Sequence, residues 1–239
     1  MASRWQAAAD AYQARDFATA ERIYEGLRHE APLGSRAVAD LCYNLGNVYS
    51  REGRKGLAAW MYERALASAP RNRDARANLA LTRAESGAAT GDAGGFVLLR
   101  PLTWLCGELT AGEWCGLFLA VWWATAVALV TRILLGRGSR RRAQRFAART
   151  AMLVGALTLV TGLFFLTRWV QTEYHRYGVV VSANAVVRAA PGPEEEKYFE
   201  AHEAERLEVS DASVRGWLCV KRPSDGRVGF LPSEDVREI

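Results

Sequence analysis

The residues in this 239-residue chain that could carry reactive chemistry are three histidines, four cysteines and one acidic run, and their spacing argues against catalysis. His29, His175 and His202 are scattered, with no nucleophile or metal partner at a useful distance in sequence. Glu194, Glu195 and Glu196 sit side by side between prolines and a lysine, which reads as a solvated acidic turn and not as an opposed acid–base pair. Gly91 to Gly95 contains no lysine and follows no strand, so it is not a phosphate-binding loop. Cys42, Cys106, Cys115 and Cys219 form no CxxC motif. Cys42 and Cys219 read as interior residues. Small apolar roles fit Cys106 and Cys115 better than a disulfide, which stays open. The sequence thus predicts no enzyme activity, no cofactor and no metal.

Charge is distributed unevenly. The formal net charge of +5 divides into +3 for residues 1–100 (14 basic, 11 acidic), +6 for 101–170 (8 and 2) and −4 for 171–239 (9 and 13). Binding to nucleic acid needs a basic face on a folded module, and the basic excess lies elsewhere, so no nucleic-acid partner is expected. It lies between two uncharged runs of 18 residues each, Trp114–Thr131 and Thr150–Thr167. At about 1.5 Å per residue, each run spans about 27 Å, close to the hydrocarbon thickness of a bilayer. The runs read as a transmembrane hairpin, with spans over 114–135 and 150–170 and a basic loop over 136–149. Arg137, Arg140, Arg141, Arg142, Arg145 and Arg149 place that loop in the cytoplasm by the positive-inside rule, where it would meet anionic lipid. Both flanking segments then lie outside. The first residues, Met-Ala-Ser-Arg-Trp-Gln, lack the apolar stretch of a signal peptide. Export of the first segment therefore requires a leader not in this sequence, passage through the first span, or an inverted orientation; the missing leader is favoured.

The elements that must position any binding residues lie on either side. Residues 1–86 read as amphipathic helices broken near Arg15, Pro32, Gly53 and Pro70. Within them Leu45-Gly46, Tyr49, Gly53, Ala58, Tyr62, Ala65-Leu66 and Pro70 lie in a 34-residue pattern that resembles a tetratricopeptide repeat, with Cys42 where that family usually has Trp. A weaker copy precedes it, at Tyr12, Phe17, Ala20, Tyr24, Leu27 and Pro32, and a single covering helix follows over 74–83. The resemblance implies a peptide-binding face bearing Asp40, Tyr43, Asn47 and Asn78. Tyr43 replaces the lysine of carboxylate-binding members, which makes capture of a C-terminal carboxylate there doubtful.

After a Gly/Ala-rich linker and interfacial segment over 87–113, where Thr110 to Glu113 forms a capping-box pattern, and after the spans, the periodicity falls to two. Val179–Val181, Ala185–Arg188, Leu207–Val209, Gly216–Lys221 and Gly226–Leu231 read as strands. Val187-Arg188 through Pro191, Gly216-Trp217 and Gly229-Phe230 through Pro232 are similar to a bacterial SH3-like barrel over 178–239. Alternation turns Leu218 and Val220 to the core and leaves Trp217 to line a surface groove with Pro232. Asp235 stands where proline-binding SH3 domains have an aromatic residue, so a different peptide is expected.

The predicted fold is therefore multidomain: all-α helical repeats, a two-helix transmembrane hairpin and a small all-β SH3-like barrel. In that order, with Leu109 to Trp114 ahead of the first span, the chain resembles the membrane proteins of bacterial aerotolerance (Bat) operons. That resemblance implies a scaffold in the bacterial inner membrane, working beside von Willebrand A-type membrane proteins and a MoxR-type ATPase. The alternative is a cell-wall protein whose SH3-like groove holds peptidoglycan.

Overall fold

Short, alanine-rich amphipathic stretches punctuated by turns fold into five consecutive helices. The computed structural model describes residues 2–30, 36–88, 108–135, 141–174, 176–214 and 216–239. The helices are α1 (Ala2–Gln13), α2 (Phe17–Glu30), α3 (Arg36–Arg51), α4 (Lys55–Ser68) and α5 (Arg73–Ser86). Their ends follow local chemistry. Asp16 accepts the Thr19 N–H at 3.1 Å at the start of α2, and Asn72 accepts the Ala75 N–H at 3.0 Å at the start of α5. Hydrogen bonds from the Thr19 side chain and then its backbone hold the Asp16 carboxyl below its ordinary pKa. Gly87 ends α5 in the left-handed region at φ 67°.

The α3–α4 seam is built on small residues. A Cβ on Gly46 would lie 2.6 Å from the Tyr62 ring, so the ring rests on bare backbone, and Ala58 and Ala65 are wholly buried beside it. Leu41, Cys42, Leu45, Val48 and Met61 fill the remaining space. The burial of Cys42 raises its thiol pKa.

The C-terminal segment is an antiparallel sheet of seven strands: β1 (Arg176–Val180), β2 (Ala185–Arg188), β3 (Lys197–Ala201), β4 (Arg206–Val214), β5 (Trp217–Lys221), β6 (Val228–Pro232) and β7 (Val236–Glu238). The strand order is β3-β2-β6-β5-β4-β1-β7. Val180, Val187, Phe199, Leu207, Val220 and Leu231 form its core, with Leu218 packed against them. Gly229 lets β6 approach β2, since a Cβ there would lie 2.6 Å from Val187 Cγ1. Two strands, β3 and β7, add to those expected from the sequence.

The array and the sheet are not independent modules. The described residues fall into two compact units, Met1–Pro101 with His175–Ile239, and Leu102–Tyr174. Within the first unit Val179 and Ala204 belong to the apolar core of the helices.

The second unit pairs α6 (Ala111–Leu135) with α7 (Arg141–Tyr174). Thr110 and Glu113 cap α6 reciprocally, the Glu113 N–H reaching Thr110 Oγ1 at 3.2 Å and the Thr110 N–H reaching Glu113 Oε2 at 2.9 Å. Gly112–Leu134 and Ala148–Thr167 are long and apolar enough to cross a membrane. Trp114 stacks on Phe164 at 4.8 Å, Gly162 lies under Phe118, and Thr125 Oγ1 meets Thr158 Oγ1 at 2.7 Å.

One expectation changes here. Residues 141–149 are helix and not loop: Arg141, Arg142, Arg145 and Arg149 belong to the opening turns of α7, because arginine, alanine and glutamine favour helix once Gly138 is passed. Trp122 and Trp123, in the middle of α6, are 47% and 62% exposed and touch each other edge to face at 5.3 Å.

Candidate functional site

α3 carries Asp40, Tyr43 and Asn47 at intervals of three and four residues, which places them along one helical stripe. Asp40 is exposed, and Tyr43 is half-buried with its ring 6.2 Å from that of Tyr62. Asn47 Oδ1 accepts from the Tyr62 hydroxyl at 2.8 Å and from Asn78 Nδ2 at 3.0 Å. The structure therefore brings Tyr43, Asn47 and Asn78 together, and adds Tyr62, whose phenol is pushed up to about 12 chiefly by burial. The two asparagines tie α3, α4 and α5 to one another. Asp40 is the residue of this face whose side chain the array uses least, while Tyr43 also packs against the array's core.

Trp217 and Pro232 are direct cross-strand partners on β5 and β6, and both are half-buried. Asp235 lies in the single 3-10 turn between β6 and β7, where its carbonyl accepts the Val181 N–H at 2.8 Å. The helical array meets β1, β7 and the turn before β4, so Trp217 and Pro232 stand on strands other than those that dock.

Of the arginines assigned to topology, Arg145 and Arg149 are exposed on α7 and Arg141 and Arg142 lie on its first turn. Arg137 and Arg140 fall outside the described residues, as do Cys106 and His175. His29 is exposed at the end of α2, and the His202 backbone N–H donates to Glu205 at 2.9 Å.

The contact between array and sheet has no counterpart in the sequence reading. It is made by the turn His202-Glu203-Ala204-Glu205. α4 begins after Arg54, which offers no side-chain cap. Its first-turn amide is met instead by Glu203, whose carboxylate accepts the buried Gly56 N–H at 2.7 Å from 147 residues away. Gly56 must be glycine, because a Cβ would lie 2.5 Å from the Val181 Cα. Ala204 takes a positive φ of 67° while wholly buried, a conformation that costs a non-glycine residue about 1–2 kcal/mol. The packing of its neighbours holds it there. Arg222 grips Glu205 at 2.7 and 3.2 Å and lies over the Phe199 ring, fixing the turn from the sheet side.

Two further polar links secure the contact. Buried Glu63 of α4 pairs with Arg83 of α5 at 2.6 Å, and Arg83 donates to the Ala204 carbonyl at 3.4 Å. The Trp60 indole N–H donates to the Glu238 carbonyl at 2.7 Å. An uncapped helix start and an acidic residue within an apolar seam were the sequence signals for this contact, but neither names its partner. No protein-family model matches the chain, and a search of curated proteins finds no match.

Proposed function

We propose that this protein is a non-enzymatic, membrane-anchored adaptor. It displays a tetratricopeptide-type array and an SH3-like domain together on the outer face of a bacterial inner membrane, where they bind other membrane proteins. The observation that carries this reading is the docking of two segments separated by two helices of membrane length. Two crossings return a chain to the side it left, so the docked unit belongs wholly to one side. The arginines between the spans favour the cytoplasm for the connection and the opposite side for the unit.

The finer fold assignments rest on matches between pattern and packing. Gly46, Ala58, Tyr62 and Ala65 occupy the seam that the tetratricopeptide pattern assigns them. Gly229 makes the close strand approach expected of an SH3-like barrel. The likeness to Bat operon proteins supplies the partner class: von Willebrand A-type membrane proteins and a MoxR-type ATPase. A second reading, recognition of peptidoglycan, has one observation in its favour, the half-exposed Trp217 beside Pro232 on β5 and β6.

The test is co-purification from native membranes, with purified sacculi as a second bait. Asp40→Ala with Tyr43→Ala should release membrane-protein partners while the variant keeps the circular dichroism spectrum of the folded parent. Asn47 is a poorer probe, since its loss breaks two internal hydrogen bonds. Retention of every partner by the folded double variant and by Trp217→Ala would overturn the adaptor reading at these faces. Loss of sacculus binding in Trp217→Ala alone would favour the cell wall. Single cysteines at exposed Ser50 and Ser224, in a background without native cysteines, should react with impermeant thiol reagents in intact spheroplasts, and one at Ser139 should not. The reverse pattern would place the unit in the cytoplasm.

A further inference from the structure

Where the array meets the last strand, the surface opens into a cleft of about 500 Å³ lined by Glu25, Arg28, Tyr49, Arg54, Leu57, Trp60 and Arg237. It lies mainly on α2 and α4, away from the α3–α5 face that carries Asp40, Tyr43, Asn47 and Asn78. The charges inside it do not balance. Arg28 is held by Glu25 at 2.7 Å, and Arg54 by Glu21 at 2.9 Å and Glu52 at 3.1 Å. Glu25 also accepts the Tyr49 hydroxyl at 2.9 Å, so its carboxylate is committed.

Arg237 is exposed on β7 and has no carboxylate partner among the described residues. Its position is fixed on both sides. The backbone pairs with Val179 of β1, and the neighbouring Glu238 carbonyl receives the Trp60 indole N–H. Arg28 lies 5.7 Å from the centre of the same indole, and Arg64, outside the cleft lining, lies 5.5 Å from it. A half-open cleft with a surplus of guanidinium groups favours a carboxylate, which arginine binds with two parallel donors. The remaining walls, Leu57, the Trp60 ring and the Tyr49 ring under Arg54, are apolar or aromatic. The volume lies in the usual range for ligand pockets and exceeds what a single small oxyanion fills.

We propose that this cleft takes an acidic peptide segment of a partner protein. A carboxylate pairs with Arg237 beside Arg28 and Arg54, and an adjacent apolar side chain lies against Leu57 and Trp60. This rests on the adaptor reading but uses none of the residues by which that reading is tested. The array supplies six of the lining residues and β7 supplies Arg237, so a ligand that pairs with Arg237 while lying on Leu57 and Trp60 also holds array and sheet together.

The test uses the full chain in detergent and fluorescence anisotropy with a labelled hexapeptide that alternates Glu and Leu, against its Gln-for-Glu counterpart. The acidic peptide should bind at least about tenfold more tightly than the amide. Arg237→Gln should abolish that difference without moving the melting temperature, Arg237→Lys should restore part of it, and Arg227→Gln on the same sheet should leave it intact. Should Arg237→Gln fail to fold, Leu57→Glu, which puts a carboxylate in the cleft wall, should abolish binding in its place. Equal affinity for the two peptides, or acid preference that survives in folded Arg237→Gln, overturns the proposal. Competition by inorganic phosphate at concentrations that leave the amide control unaffected, with no contribution from the leucines, would assign the cleft to a small anion and overturn the peptide.

Discussion

Two antiparallel helix pairs in this molecule solve the same packing problem with opposite outer surfaces. In α3–α4 the seam is Gly46, Ala58, Ala65, Leu45 and the Tyr62 ring, and charged residues such as Asp40, Arg51 and Arg54 face outward. In α6–α7 the seam holds Thr125, Thr158, Thr161 and Gly162 with the Trp114–Phe164 stack, and the outside is apolar. Leu159 is 77% exposed and Val127 62%. Water drives the first pair together by excluding apolar surface. No such drive acts between helices in lipid, where close approach over small residues and hydroxyl hydrogen bonds do the work. The inverted outer surface is the one that a membrane-spanning α6–α7 pair requires and that an array in water does not.

The largest effect expected from breaking the comparison is at Gly46. Gly46→Leu puts a side chain where the Tyr62 ring already stands at 2.6 Å from an ideal Cβ, so the seam must open. Overpacking costs about 1–3 kcal/mol in well-packed cores, and this site belongs at the top of that range or beyond it because the obstacle is an immobile ring. The melting temperature of the unit formed by array and sheet, followed by circular dichroism in detergent, should fall by many degrees or the unit should not fold. An unchanged melt would mean that α3 and α4 do not meet at Gly46.

Much of this difference could be read from local pattern. Leu45, Tyr49, Ala58, Tyr62 and Ala65 announce their seam by spacing, and two runs of 18 uncharged residues announce theirs by length. β2 was legible because Ala185–Arg188 is short and bounded by turns. β3 was not: Lys197-Tyr-Phe-Glu-Ala201 carries two charges in five residues, and only pairing with β2 makes it a strand. The start of α7 was misread because its arginines were weighed as charge and not as helix formers. The docking turn was out of reach altogether. Glu203 and Gly56 lie 147 residues apart, and nothing at either position points to the other.

A smaller effect follows from pH. Burial raises the Tyr62 pKa to about 12, so between pH 10 and 12 the folded array keeps a proton that the unfolded chain has lost. Stability is thus undiminished below pH 10 and falls as pH rises through 12. Tyr24 and Tyr49 are also raised by burial and steepen the same decline. Tyr62→Phe should cost about 1 kcal/mol at neutral pH, the worth of the hydroxyl bond to Asn47, and make the alkaline decline shallower. Gly112–Leu134 and Ala148–Thr167 contain no tyrosine, so their helicity should not change over this interval. Loss of span helicity together with the array would mean that the two units melt as one.

The smallest effect is expected at the hydroxyl pair between α6 and α7. Thr158→Val removes the 2.7 Å contact with Thr125 and keeps the side-chain shape. In hydrocarbon an unmet hydroxyl is costly, which suggests a large penalty. Two facts argue for a small one. Thr125 Oγ1 also donates to the Val121 carbonyl at 2.9 Å, so Thr125 retains a partner when Thr158 is gone. Interhelical hydrogen bonds in membranes also average only about 0.6 kcal/mol, because the separated helices satisfy the same groups internally. Resistance of the hairpin to SDS in mixed micelles should therefore shift slightly in Thr158→Val, and hardly further in the Thr125→Val, Thr158→Val double variant. A penalty of about 2 kcal/mol or more would put the pair in the regime of a buried polar group that depends on one partner. The α6–α7 seam would then be held by directional bonds as the soluble array is at Asn47, and the contrast between the two helix pairs would rest on their outer surfaces alone.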